Sequence, residues 1–299
     1  MARIALPGRE LEIEYEQRGT PTRGDVVLVM GLGMQLLAWP TAFVDALVAA
    51  GWRVTLFDNR DAGLSGSGRI TPHASLERAM LAHLLRRTFT PPYTVQDMAD
   101  DTLALADALG IGEFHVVGVS LGGMIAQRVA ASAPKRVRSL VSVMSHAGSR
   151  GAPWPKWSLL PVFLRPPPKS ATFDVKVAHF TRLFQALARL RDGDPELDAI
   201  RTRLATSLER AYKPLGTARQ LLAITADDDR SALLAQVRCP VLVMHGSDDP
   251  LVPVRAAQAL RRALPQARVE IVPGLGHYLP TSFVPRLGTS VLGHLDGIA

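Results

Sequence analysis

The sequence predicts an α/β fold in which helices cover both faces of a mostly parallel sheet. Short apolar runs that fit buried strands alternate with segments of helical periodicity between residues 26 and 144, and strand-like runs resume at residue 240. Turn-forming glycine, proline and aspartate residues separate these segments. Successive parallel strands need crossover connections, which place helices on the faces of the sheet.

The elements can be justified in chain order. The predicted strands lie at residues 4–6, 11–17, 26–30, 53–57, 114–117, 139–144, 240–245 and 267–272. The first two form a hairpin around Pro7-Gly8, and a helix at 41–50 joins the next pair. Thr94 and Asp97 have the spacing of a capping box, which predicts a helix leading to the strand at 114–117.

The fifth strand leads into a motif typical of an enzyme nucleophile. Ser120 is the centre of Gly-Val-Ser-Leu-Gly-Gly at 118–123, directly before a helical pattern. No other serine of the chain has glycines two residues away on both sides. A strand, a sharp turn at the serine and a helix form a nucleophile elbow, which holds the hydroxyl exposed in a strained backbone conformation. The motif therefore predicts a serine hydrolase.

The last two predicted strands end in residues that could activate this serine. The strand at 240–245 runs into a turn containing Asp248 and Asp249, and the final strand runs into a glycine-rich loop containing His277. A histidine can take the serine proton while a carboxylate orients it. The chain order serine, aspartate, histidine distinguishes one fold of serine hydrolases from the other folds that carry the same three residues in a different order. His146, just beyond the strand at 139–144, is expected to be structural or to face the substrate.

Several segments together match one known family. They are residues 29–34 with Trp39-Pro40, residues 57–65, the elbow, residues 246–253 and residues 274–280. On these segments the chain resembles the α/β-hydrolases, in particular small bacterial esterases of the aclacinomycin methylesterase type. The resemblance implies an eight-stranded sheet with a helical cap and a reaction that needs no cofactor and no metal. Two residues depart from the pattern. Many members of the family have histidine in place of Met30, and the members most like this chain often have an acidic residue in place of Tyr278.

The resemblance also implies roles for particular residues. It makes Asp249, three residues after Gly246, the triad acid, and Asp248 a turn or cap residue. Negative charge on the substrate carbonyl oxygen would be bound by backbone N–H groups of an oxyanion hole. The expected donors are Leu121, at a helix N-terminus, and Leu32, in the loop after the third strand.

The regular alternation stops after Met144 until Pro240, which predicts an inserted domain. We expect residues 1–145 and 237–299 to form the core and residues 146–236 to form the cap. The first part of this interval is rich in proline and aromatic residues.

Caps of similar hydrolases roof the active site, so Trp154 and Trp157 are predicted to contact substrate, and Met34 is predicted to contact it from the core. Apolar residues at helical spacing over 173–187 are more typical of a packed helix face than of a ligand cage.

Composition excludes several other classes of protein. The net charge is +7, but the arginines are scattered and lysine occurs only five times, so no basic face for nucleic acid is predicted. The chain shows no signal-peptide stretch and no run of about 18 apolar residues, which predicts a cytoplasmic protein that does not enter membranes. Its single cysteine, Cys239, excludes an internal disulfide and is expected to be buried.

Two glycine patterns could instead indicate a nucleotide site. Gly31-Leu32-Gly33 follows a strand and Asp58 ends the next one, but Leu36 stands where the dinucleotide fingerprint needs its third glycine. The glycines at 63 and 68 have phosphate-loop spacing, but Arg69-Ile70 replaces the required lysine and hydroxyl residue. Both interpretations are disfavoured.

The sequence thus predicts a carboxylesterase-like serine hydrolase that cleaves a small to medium, largely apolar ester through an acyl-enzyme. The same triad can perform carbon–carbon bond hydrolysis or cofactor-free perhydrolysis of the haloperoxidase type, and the fold can serve as a ligand receptor. Epoxide hydrolases and dehalogenases are disfavoured, because they use an aspartate where this chain has Ser120. The natural substrate and the oligomeric state stay open.

Overall fold

A sheet of eight strands forms the centre of the protein. The computed structural model describes residues 1–73, 75–85, 87–148, 167–168 and 170–298. The strands are β1 (Ala2–Ala5), β2 (Glu12–Arg18), β3 (Gly24–Val29), β4 (Trp52–Phe57), β5 (Phe114–Val119), β6 (Val137–Val143), β7 (Val241–Gly246) and β8 (Arg268–Val272). They lie in the order β1-β2-β4-β3-β5-β6-β7-β8.

The pairing confirms the predicted α/β class with a mostly parallel sheet. Strands β1, β2 and β4 pair antiparallel, with Ile4 opposite Ile13 and Gln17 opposite Thr55. All other neighbouring strands are parallel. Strand β3 begins two residues before the predicted start, because Asp25 is held against strand β4 by a hydrogen bond from Arg53 Nε (2.5 Å). Ladder pairing and this ion pair extend the strand beyond its apolar run.

Helices connect the strands and cover the sheet. In the described residues they are α1 (Thr41–Ala49), α2 (Leu76–Leu84), α3 (Val95–Ala108), α4 (Leu121–Ser132), α5 (Phe173–Ala188), α6 (Glu196–Arg210), α7 (Pro214–Ala226), α8 (Ser231–Leu234), α9 (Arg255–Ala263) and α10 (Val284–Asp296). Helix α3 has the predicted capping box, since Thr94 Oγ1 accepts the Asp97 N–H (3.1 Å) and Asp97 Oδ2 accepts the Thr94 N–H (2.8 Å).

Two apolar cores lie on opposite faces of the sheet. Successive side chains of a strand point to opposite faces, so Val27 and Val29 of β3 pack in one core with α3 and α4, while Val26 and Leu28 pack in the other. Helices α1 and α10 cover this second core. Because both faces are covered, the central strands are almost fully buried.

Between β6 and β7, the described residues from 170 to 236 form helices α5 to α8, with no strand among them. We call these four helices the helical insertion. Helix α5 packs against α6, and α7 packs against α2. In the described part of the chain, no helix has both the length and the apolar character required to cross a bilayer.

Candidate active site

Ser120 occupies a strained turn between β5 and α4. Its backbone has φ +56° and ψ −118°, a conformation that non-glycine residues rarely adopt. The Ser120 N–H donates to the Val143 carbonyl (2.9 Å), and its carbonyl accepts the N–H groups of Gly123 and Met124. These bonds tie the serine to β6 and to its own helix, so the surrounding structure maintains the strain.

The flanking glycines are required by close backbone contacts. A Cβ at Gly118 would lie 2.1 Å from the Gly122 carbonyl oxygen, and a Cβ at Gly122 would lie 2.0 Å from the Val29 carbonyl oxygen. No side chain fits at such distances. The elbow motif therefore reflects how tightly helix α4 approaches strands β5 and β3.

His277 lies in the loop after β8, beside the serine. Its Nε2 is 2.9 Å from Ser120 Oγ, and its Nδ1 is 2.7 Å from Asp249 Oδ2. A carboxylate at Nδ1 keeps the proton there, so Nε2 is free to accept the serine proton. The His277 backbone N–H donates to the Leu187 carbonyl (2.7 Å), which anchors the loop to the end of α5.

Asp249, rather than Asp248, contacts the histidine. Its Oδ1 accepts the N–H groups of Leu251 (2.9 Å) and Val252 (2.8 Å), which leaves Oδ2 directed at His277. Asp248 instead accepts a hydrogen bond from Ser247 Oγ within the turn. The side chain of Asp249 is fully buried, so water does not compete for its oxygens.

His245 lies behind the Asp249 carboxylate. Its Nε2 donates to the Val252 carbonyl (2.7 Å) and lies 3.6 Å from Asp249 Oδ2. Burial lowers the pKa of His245, so this imidazole is neutral at pH 7 and helps to enclose the carboxylate without a second charge.

The two predicted oxyanion donors both line the cavity that contains Ser120. Leu121 is the first residue of α4, and Leu32 belongs to the turn closed by the hydrogen bond from Met34 N–H to the Gly31 carbonyl (3.2 Å). Within the described part of the chain, neither the Leu32 nor the Leu121 N–H donates to another residue. Gly31 packs directly on the serine, since a Cβ there would lie 3.3 Å from Ser120 Cβ. Their role as oxyanion donors stays a prediction.

Ser120 and His277 open into a cavity of about 1330 Å³. This volume exceeds the 300–1,000 Å³ typical of small-molecule sites. Apolar side chains of the helical insertion and of neighbouring loops line most of it. They include Met34, Phe180, Phe184, Leu187, Leu221, Tyr278 and Leu279.

Other sequence expectations about the cavity have mixed outcomes. Met34 lines it, and its contact with substrate stays a prediction, whereas Trp154 and Trp157 lie outside the described residues. The apolar face of α5, expected mainly to pack, contributes Phe180 and Phe184 to the wall.

Helix α2 also contributes to the wall, through Leu76 and Met80, although the sequence analysis did not single it out. Ser75 caps this helix by accepting the Arg78 N–H, and a serine at such a position is a sequence feature that predicts a helix start.

His146 faces the same cavity, consistent with one of the two roles predicted for it. Its Nδ1 accepts the Gly148 N–H (3.1 Å), and its carbonyl accepts a hydrogen bond from the buried guanidinium of Arg230. Burial, assisted by the positive charge of Arg230, lowers the pKa of His146 to about 3. The imidazole is therefore neutral at pH 7.

Asp58 joins the helical insertion to the core. Asp58 Oδ2 accepts from Arg210 Nη1 of α6 (2.7 Å), while its Oδ1 accepts the Leu36 N–H (2.7 Å). Asp58 is fully buried, so its oxygens are occupied within the protein and are closed to a ribose.

Asp61 makes a second such connection. It accepts two hydrogen bonds from Arg219 of α7 (2.7 and 2.6 Å) and one from the Tyr93 hydroxyl (2.8 Å). Burial alone would raise the pKa of Asp61, but the hydrogen bonds from Arg219, Ser67 and Tyr93 outweigh it and lower the pKa. Neither arginine was predicted as a partner of these aspartates, because nothing local in the sequence marks a partner about 150 residues away.

The described residues contain no group of three histidine, cysteine or acidic side chains placed to hold a metal ion.

Comparison with known proteins agrees with the fold. A family model described as alpha/beta hydrolase fold matches residues 25–280. Rhodomycin D methylesterase DnrP of Streptomyces peucetius is 28% identical over 95% of both chains. The 2-hydroxy-6-oxononadienedioate/2-hydroxy-6-oxononatrienedioate hydrolase of Burkholderia vietnamiensis is 28% identical over 98% of this chain and 93% of its own.

Among solved structures, the meta-cleavage product hydrolase CumD of Pseudomonas fluorescens superposes with a TM-score of 0.76 at 18% identity. The match covers 100% of this chain and 98% of CumD. At this identity the similarity shows a shared fold and nothing further.

Proposed function

The chain belongs to the alpha/beta hydrolase fold family, and from that premise we propose that it is a serine hydrolase that cleaves carboxylic esters. The observation that carries the proposal is the continuous hydrogen-bonded row from Ser120 Oγ through His277 to Asp249 Oδ2. The row begins at the wall of a large cavity, where a substrate carbonyl can reach the hydroxyl.

The proposed acylation step follows from this arrangement. His277 Nε2 removes the proton of Ser120 as Oγ attacks the ester carbonyl, and Asp249 stabilises the imidazolium that forms. The N–H groups of Leu32 and Leu121 bind the oxygen that becomes negatively charged. When the tetrahedral intermediate breaks down, the alcohol leaves with the proton from His277, and the acyl group stays on Ser120.

Deacylation repeats these steps with water in place of the serine. His277 takes a proton from the water as it attacks the acyl carbonyl. It then returns that proton to Ser120 Oγ as the carboxylic acid departs. No cofactor takes part in either half of the reaction.

The apolar lining of the cavity supports an ester with an apolar acyl part, and its volume has room for an acyl group of medium size. Hydrophobic walls bind such groups by removing apolar surface from water. A methyl ester is the first candidate, because a relative that aligns over 95% of the chain is a methylesterase. We also propose that residues 146–236 act as a cap, since α5, α6 and α7 all contribute residues to the wall of the cavity that contains Ser120.

The test combines active-site labelling with turnover. A fluorophosphonate probe is expected to label the protein once per chain, with peptide mapping placing the label on Ser120 and Ser120→Ala removing it. Methyl and p-nitrophenyl esters of four- to eight-carbon acids are expected to be hydrolysed with a burst of alcohol, the sign of an acyl-enzyme. Labelling of another serine, or full turnover by Ser120→Ala, would contradict the proposal.

Carbon–carbon bond hydrolysis is the second candidate, because the Burkholderia vietnamiensis relative is a hydrolase of 2-hydroxy-6-oxononadienedioate. The same row of residues can serve that reaction. Loss of absorbance of such a dienedioate, at a rate exceeding ester turnover, would favour this function over the esterase.

A further inference from the structure

The side chain of Gln220 connects helix α7 to the loop that carries Leu32. Gln220 is fully buried. Its Oε1 accepts the Gly33 N–H (2.8 Å), and its Nε2 donates to the Arg60 carbonyl (2.7 Å). The two partners determine which way the carboxamide points, because one offers only a donor and the other only an acceptor.

The bond to Gly33 holds the peptide unit that decides the shape of the turn. Residues 31–34 form a turn closed by the Met34 N–H on the Gly31 carbonyl (3.2 Å), and Gly33 at its third position has φ +66°. A positive φ at that position alone is the pattern of a type II turn, which differs from type I by a flip of the peptide between the two central residues. That peptide, between Leu32 and Gly33, carries the N–H that Gln220 accepts.

Packing of α7 against Gly33 supports the same contact. A Cβ at Gly33 would lie 2.8 Å from Thr217 Oγ1, three residues before Gln220 on the same face of the helix. The helix therefore fits closely against the turn, and Gln220 supplies the hydrogen-bond acceptor at this contact.

We infer that Gln220 is a positioning residue for the oxyanion hole. By accepting the Gly33 N–H it fastens the turn of residues 31–34 to helix α7 and keeps that turn in its type II form. The Leu32 N–H belongs to the preceding peptide of the same turn. Without Gln220 the turn loses this buried anchor and its central peptide can rotate, since glycine tolerates either form, so the position of the adjacent Leu32 donor is no longer fixed. The inference rests on the proposed serine esterase function and assigns to the helical insertion a part in catalysis besides enclosing substrate.

The test is Gln220→Met, which keeps the length of the side chain and removes both hydrogen bonds. A misdirected donor weakens binding of the transition state rather than of the substrate. We expect kcat for a p-nitrophenyl ester to fall about ten- to a hundred-fold, with KM within about two-fold of the wild type. The matched control is Arg219→Met on the same helix, which breaks the bond between α7 and Asp61 without touching the turn. It should lower the melting temperature but keep kcat within about two-fold.

Gln220→Glu provides a second variant with a readout that loss of stability alone would not change. A protonated carboxyl group at this position can make both bonds, whereas the carboxylate can only accept and would face the Arg60 carbonyl. The ratio of kcat for Gln220→Glu to that of the wild type should therefore fall as pH rises, measured below both melting temperatures.

The outcomes separate this inference from the proposed function. A wild-type kcat in Gln220→Met, or equal losses of kcat in Gln220→Met and Arg219→Met, would overturn the inference and leave the esterase standing. A pH-independent ratio for Gln220→Glu would also count against it. A wild-type protein that hydrolyses no ester and takes no phosphonate would overturn the proposed function and, with it, this inference.

Discussion

The two sides of the cavity are held in place by different kinds of contact. On the sheet side, Ser120, Asp249 and His277 each follow a strand, and the strands are joined by ladders of backbone hydrogen bonds. On the side of the helical insertion, the connections to the core include single ion pairs from half-buried arginines to buried aspartates, among them Arg210 on Asp58 and Arg219 on Asp61.

The two kinds of contact respond differently to mutation. Backbone ladders do not depend on any one side chain, so a change at a reacting residue should alter chemistry while the fold persists. A buried ion pair depends on two residues, and removing one leaves an uncompensated charge. Apart from Gln220, which is bonded to the loop that carries Leu32, changes at the insertion should therefore alter stability and substrate fit more than the chemical step.

The strongest test of the sheet side is Asp249→Asn. An amide at this position no longer favours the proton on His277 Nδ1, so the histidine adopts the wrong tautomer and kcat should fall about 10⁴-fold. Asp248→Asn is the matched control and should keep its activity, since Asp248 bonds within the turn. Ester hydrolysis and thermal unfolding of both variants check the prediction, and an inactive Asp248→Asn beside an active Asp249→Asn would reverse the assignment.

On the insertion side, Arg210→Met should lower the free energy of unfolding by about 3–5 kcal/mol, because it leaves the buried Asp58 carboxylate without its cation. Urea unfolding measures the change. Arg138→Met provides the control, since its ion pair with Glu113 is exposed and should be worth under about 1 kcal/mol. Equal losses of unfolding free energy in the two variants would mean that the stability of the helical insertion does not depend on the contact between Arg210 and Asp58.

A smaller effect on substrate fit is expected for Phe184→Ala. Phe184 lines the cavity and contacts the ring of Tyr278, with centroids 5.9 Å apart. Its removal should raise KM for an eight-carbon p-nitrophenyl ester about ten-fold and leave the acetate nearly unchanged, as less apolar surface meets the longer chain. Phe173→Ala, at an exposed position of the same helix, should change neither value. If both esters lost affinity equally, the side chain would not contact the acyl group.

The last prediction concerns pH and a histidine in the sheet, away from the cavity. His115 bonds to Ser139 Oγ (2.7 Å), and burial, followed by the charge of Arg138, lowers its pKa to about 4. An unfolded histidine titrates near pH 6.5. Between these two values the unfolded chain binds a proton that the folded protein does not, so stability rises with pH in this window and falls as the solution is acidified.

His115→Asn should reduce by one the number of protons that the unfolded chain binds in excess of the folded protein. Unfolding free energy measured from pH 4 to 7 should rise less steeply than in the wild type, by up to about 1.4 kcal/mol per pH unit. An unchanged slope in His115→Asn would show that other buried histidines, such as His294 with its pKa lowered to about 4 by burial, carry the whole dependence.

The elbow was predictable because its signal is local. The turn needs glycines where backbones approach closely and a serine between a strand and a helix, and these requirements lie within a few residues. The choice between Asp248 and Asp249 is different. Their residue types are the same, and the structure separates them through the N–H groups of Leu251 and Val252, which hold one oxygen of Asp249 and direct the other.

The wall formed by α2 and the bond from Gln220 to Gly33 were not predicted. Gln220 and Gly33 are 187 positions apart, and a glutamine within a helix has no local feature that shows which loop it will meet. Likewise, the amphipathic pattern of α5 indicates an apolar face but not whether that face meets another helix or a cavity.

The sequence by itself determined the α/β alternation, the strained serine and the histidine loop, because periodicity, glycine and turn chemistry act over short stretches of chain. The family resemblance favoured Asp249 over Asp248 as the triad acid, but only the tertiary structure decided how the helical insertion is fastened and what lines the cavity. Those features depend on side chains that meet across long stretches of chain, and their distances are set by the packing of helices on the sheet.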